Sequence, residues 1–94
     1  MHPMPHDPQY RPVQFELVAD AEPGLLARVL VPFARRDLTP DRVSARRQGE
    51  LMRVEIGMDS MPSEMLHLVE GNLRQVVGMR QVAVVLRAVV RRVA

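Results

Sequence analysis

The chain has no cysteine, no tryptophan and no lysine, and only three aromatic residues, Tyr10, Phe15 and Phe33, among its 94. The missing cysteines exclude disulfides, thiolate zinc sites and thiol nucleophiles together. No apolar run approaches the roughly 20 residues that a membrane span needs, and Met1-His2-Pro3-Met4-Pro5-His6-Asp7-Pro8 lacks the apolar segment of a signal peptide. From these absences the expectation is a soluble protein, unprocessed and cytoplasmic, with no membrane partner. Charge of one sign is also scarce in net terms: 13 arginines face 11 acids, for a net charge of +2. The high pI therefore reflects arginine chemistry more than a large positive excess, and nucleic-acid binding is permitted without being demanded.

What is present fits one domain with a single modest core, since 47% of the residues are hydrophobic. A chain this short leaves much of its surface uncovered, which favours association with a second copy or a larger partner. Residues 1–12 hold four of the eight prolines and read as a flexible, extended arm. His2 and His6 in that arm lack a third ligand nearby, so no metal site is assigned to them. Residues 13–86 carry the periodic patterns of the domain, and residues 87–94 form a basic tail that suits a strand extension, a short helix or a frayed end.

Val13, Phe15, Leu17 and Ala19 alternate with Gln14, Glu16, Val18 and Asp20, the period of a half-buried strand. A helix is predicted from about Leu25 to Arg36, with Leu25, Leu26, Val29, Leu30 and Phe33 as its apolar stripe. Pro32 lacks the N–H that the carbonyl of Arg28 would accept, so the helix is expected to bend there without breaking. Arg42 to Gln48 and Leu51 to Met58 alternate around Gln48-Gly49-Glu50, a hairpin signal. Its inward set is Val43, Ala45, Met52, Val54, Ile56 and Met58. Ser60 to Pro62 reads as a helix start. Met61, Met65, Leu66, Val69, Leu73, Val76 and Val77 then mark a second amphipathic helix that Gly78 closes, and Met79 to Leu86 supplies a last strand.

Strand, helix, strand, strand, helix, strand is the α+β ferredoxin-like βαββαβ sandwich: an antiparallel four-stranded sheet with both helices on one face. Right-handed crossovers predict the strand order 4-1-3-2. This fold hosts many functions, so the residues after the first strand have to discriminate among them. Gly24 brings backbone close to a ligand with no side chain in the way, and the unpaired N–H groups of the following helix point at the same place.

Glu22-Pro23-Gly24-Leu25-Leu26-Ala27-Arg28-Val29, followed by Phe33-Ala34-Arg35-Arg36 and the turn into Arg42-Val43, resembles the signature of the ACT domain, the small-molecule-sensing module of amino-acid metabolism. The resemblance is nearest to the regulatory small subunit of acetolactate synthase (acetohydroxyacid synthase), and Val77-Gly78-Met79-Arg80-Gln81-Val82 is similar to the family's usual approach to the last strand. The resemblance implies a homodimer whose sheets join side by side, an effector amino acid bound at the pair interface, and the catalytic subunit of acetolactate synthase as partner. It places Gly24 and Leu25 in backbone contact with the effector, Asp20 and Ala21 at the mouth, and Thr39 where the small subunit usually has asparagine. Helix N–H groups suit a carboxylate, Asp20 suits an ammonium, and Leu25 with Leu38 suits a branched side chain. No cofactor is implied.

Catalysis finds no support in the residue pattern. His67 lies in the second helix with no carboxylate four residues either side, and Asp20 with Glu22 has no surroundings that would tune a catalytic pKa. Two other readings remain. Arg42, Arg46, Arg47 and Arg53 on the hairpin, with Arg87, Arg91 and Arg92 at the end, suit nucleic acid, although Phe15 and Phe33 fall in the core pattern and leave little for base stacking. The domain also suits a purely structural role, dimerising and holding a larger enzyme in its active form.

Overall fold

The computed structural model of the chain describes residues 9–86. Residues 87–94 and most of the proline-rich arm, including His2 and His6, lie outside the described residues. The elements are β1 (Tyr10–Asp20), α1 (Leu25–Ala34), β2 (Arg42–Gln48), β3 (Leu51–Pro62), α2 (Ser63–Arg74) and β4 (Met79–Leu86). The sheet is antiparallel throughout with order β2-β3-β1-β4, the predicted arrangement read from the other edge.

One face of the sheet carries the core. Val13, Phe15, Leu17 and Ala19 of β1 are buried beside Val54, Ile56 and Met58 of β3 and Val82 of β4. Leu25, Val29 and Phe33 of α1, with Val69 and Leu73 of α2, close over them. Phe15 and Phe33 meet edge to face with ring centroids 5.4 Å apart, the geometry their quadrupoles favour.

Two bulges set the ends of the sheet. Between Arg11 and Val13 of β1, the partner strand advances from Met61 to Met58, one residue more. The extra residue resets the alternation, so Met61 returns to the core face as a strand residue. This corrects the helix start read at Ser60 to Pro62. Those residues finish β3, Pro62 is the N-cap of α2, and the Ser63 N–H donates to the Gln9 carbonyl at 2.8 Å. Strand pairing with β1, which itself begins at Tyr10 instead of Val13, overrides the local capping signal. The second bulge, between Val18 and Ala19, falls where β4 advances from Gln81 to Met79.

The helices end earlier than their apolar stripes suggest. α1 runs through the buried Pro32 unbroken and stops at Ala34 instead of Arg36. Asp37 there takes a left-handed backbone, φ 56°, the Leu38 N–H donates to the Phe33 carbonyl at 2.9 Å, and Leu38 packs on the core. That is a Schellman-type closure with aspartate in the position that glycine usually fills. α2 stops at Arg74, and Val77, placed on the apolar stripe by spacing, is 71% exposed.

Val43 and Ala45 correct the expected inward set. They pair with the buried Ile56 and Val54 and so point to the core side of the sheet, yet all seven residues of β2 are exposed, Val43 by 48%. Two helices do not extend over the outermost strand of four. Asp37→Gly should relieve the left-handed strain at the end of α1 and raise stability by about 0.5–1 kcal/mol in denaturant unfolding, with an unchanged m-value.

Candidate functional site

β1 delivers the chain to a turn held from both sides. The Asp20 N–H donates to the Gly78 carbonyl and the Ala21 N–H to the Glu50 carbonyl, both at 2.9 Å, which ties the turn to the loop before β4 and to the β2–β3 hairpin. Gly24 follows as the N-cap of α1 with φ 81°, exposed, in a conformation that glycine adopts at no steric cost. Among the described residues no side chain caps α1, and its first turn holds no acid. The mouth is therefore a bare helix N-terminus, positive by the macrodipole and free of competing carboxylate in that turn.

The side chains around it are already engaged. Asp20 Oδ1 accepts from Arg80 Nε at 2.5 Å, Arg80 being the extra residue of the bulge in β4. This hydrogen bond and then the carboxylate charge hold the Arg80 guanidinium above its usual pKa. One oxygen of Asp20, proposed above for an ammonium, is thus committed within the chain. Arg28 Nη2 stands 3.8 Å from Glu22 Oε2, and its Nε and Nη2 are enclosed with no hydrogen-bond partner among the described residues. Leu25 cannot offer its side chain to a ligand, because it is 1% exposed and part of the core, and its N–H already donates to the Glu22 carbonyl at 3.2 Å.

Leu38 and Thr39 do not join this cluster. Asp20 is level with Leu51 and the end of β2, whereas β2 begins at Arg42, level with Gly57 and Gln14 at the other end of the sheet. α1 connects the two ends, and ten residues at 1.5 Å each separate them by about 15 Å. Asp20, Ala21, Gly24 and Leu25 therefore lie at one end of the chain and Leu38 with the exposed Thr39 at the other. Among the described residues, the depressions on the sheet face, beside the start of β1 and beside β4 are lined by neither set. A depression of about 350 Å³ is on the opposite, helix-free face of the sheet, between Glu16, Arg46, Arg53 and Glu55. Sequence periodicity held no signal for that depression, since it arises from strand order.

His67 is exposed on α2. Among the described residues, no three His, Cys, Asp or Glu side chains gather to hold a metal ion, and no helix is long and apolar enough to cross a membrane.

The family described as the ACT-like domain matches residues 8–92, and the chain belongs to it. Solved structures give the same fold at low identity. The ACT domain from the GTP pyrophosphokinase of Chlorobium tepidum superposes with a TM-score of 0.70 at 12% identity, covering 81% of this chain and 99% of that one. A homoserine dehydrogenase from Thiobacillus denitrificans gives 0.70 at 13% identity, over 86% of this chain and 19% of that one. The C-terminal domain of the MgtC protein from Mycobacterium tuberculosis gives 0.67 at 14% identity, over 87% and 93%. Comparison with curated proteins finds no match.

Gly78, also left-handed at φ 89°, supports the turn from below, and a Cβ there would stand 2.9 Å from Glu22 Oε1. Gly78→Ala should cost about 1–2 kcal/mol in thermal unfolding, chiefly through its backbone, because the Glu22 carboxylate can swing aside.

Proposed function

We propose that the chain is a regulatory amino-acid-binding subunit, of the type of the acetolactate synthase small subunit, that works as a side-by-side homodimer on a catalytic partner in branched-chain amino-acid biosynthesis. The observation that carries this reading is the division of the candidate residues between the two ends of one protomer. A two-fold axis at the β2 edge inverts the partner, bringing its β1–α1 turn toward the α1–β2 turn of the first copy. Each of two equivalent pockets then takes Asp20, Ala21 and Gly24 from one protomer and Leu38 and Thr39 from the other.

The β2 edge suits that pairing. It is seven residues long and carries Val43 and Ala45 exposed on the core side, so a second β2 would complete the hydrogen-bond ladder and bury both. In the pocket, the N-terminus of α1 receives the effector carboxylate, the second oxygen of Asp20 receives the ammonium, and Leu38 supplies apolar contact. An effector that binds one arrangement of the dimer better than another shifts the population, and with it the activity of the partner.

Isothermal titration with valine, leucine and isoleucine tests the reading. Saturable binding of one of them should be lost in Gly24→Asp, whose side chain blocks the turn with like charge, and in Thr39→Arg at the other half-site. Because the halves come from different protomers, a refolded equimolar mixture of the two variants should regain about a quarter of the sites, one intact pocket in each mixed dimer. Folded variants that bind as the parent does, or a mixture that regains nothing, would place the pocket elsewhere.

A further inference from the structure

The helix-free face of the sheet is patterned by charge in a way the amino-acid site leaves unused. Glu16 of β1 stands directly across from Glu55 of β3, and one row further along the strands Arg53 of β3 stands directly across from Arg46 of β2. Like charges directly opposite on a sheet destabilise it, so each row is unfavourable in the isolated chain. Neither is relieved by the other. The ion pairs among the described residues join Arg28 to Glu22, Arg42 to Asp59, Arg74 to Glu70 and Arg80 to Asp20, and involve none of these four groups. Gln14 Nε2 donates to both glutamates, at 3.1 and 3.0 Å, holding the acids together as a unit. Arg53 Nε donates to Gln48 Oε1, a neutral acceptor.

An acidic row beside a basic row, about 7 Å apart along the strands, is complementary to itself. Rotation by 180° about an axis lying in the face, across the strands and midway between the rows, exchanges acid for base while keeping each strand over its own copy. Glu55 then meets Arg53 of the second copy, with Glu16 and Arg46 at the diagonals. The depression of about 350 Å³ between the rows leaves space for side chains arriving from above. We infer that this face is an interface between two copies of the chain stacked sheet on sheet, in addition to the β2 edge, so that the full assembly has twice the mass of whatever the edge alone supports.

Mass measurement by sedimentation, at about 0.05 M and about 0.5 M salt, reads this directly because the contact is between charges and is screened at the higher value. The parent should lose about half its mass on raising the salt. Two variants of the full chain separate the contact from general screening: Arg46→Glu with Arg53→Glu makes the face acidic throughout, and Glu16→Arg with Glu55→Arg makes it basic throughout. Each alone should show half the parent mass at low salt, and an equimolar mixture should recover the parent mass, which also demonstrates that both variants are folded. Parent mass in either variant, or a mixture that stays at half mass, overturns the inference.

Discussion

β1 carries a hydrogen-bond ladder on each of its edges, to β3 on one side and β4 on the other, and four of its side chains form the centre of the core. A strand held on both edges and one face cannot slip by a residue without turning Phe15 and Leu17 to solvent. Its register therefore fixes where the chain leaves the sheet at Asp20. The two backbone bonds from Asp20 and Ala21 to the neighbouring loops extend that constraint into the turn. The position of Gly24, and the direction of α1 after it, are consequences of β1 pairing more than of anything local to the glycine.

The second constraint is arithmetic of coverage. Two helices shield the core side of β1, β3 and part of β4, and among the described residues nothing covers β2 or the reverse face of the sheet. Among the described residues β2 pairs only with β3, and its outer edge there keeps a row of backbone donors and acceptors without ladder partners. Natural sheets blunt such an edge with charge or cover it, and here arginines at both ends flank an apolar pair. An edge of that composition tolerates solvent and accepts a strand.

The two proposals use different surfaces for different ends. The proposed edge assembly would create a ligand pocket from halves that one protomer keeps about 15 Å apart, the length of α1. The stacked assembly offsets like-charge rows that the strand register brings together. A regulatory domain built as proposed would link ligand binding to quaternary arrangement, since its pocket would form only where two copies meet and a differential affinity for one arrangement is all that coupling requires.

Periodicity in the chain was enough for the type and order of all six elements, the strand order and most of the core, because burial on one side of a strand or helix leaves a repeat of two or 3.6 residues. The residues from Glu22 to Val29 likewise carried the family. What local pattern could not supply was decided by pairing between distant segments: Met61 enters the core from a strand because a bulge opposite Val13 resets β3, and Val43 and Ala45 stay exposed because no helix reaches the edge. The same holds for the functional surfaces. Gly24 and Thr39 are candidates that the resemblance supplied, and their separation is set by the course of α1. The opposition of Arg46 to Arg53 follows from the two-residue turn between Gln48 and Leu51, whereas that of Glu16 to Glu55 exists only once β1 has paired with β3, since no spacing along the chain encodes a register between distant strands.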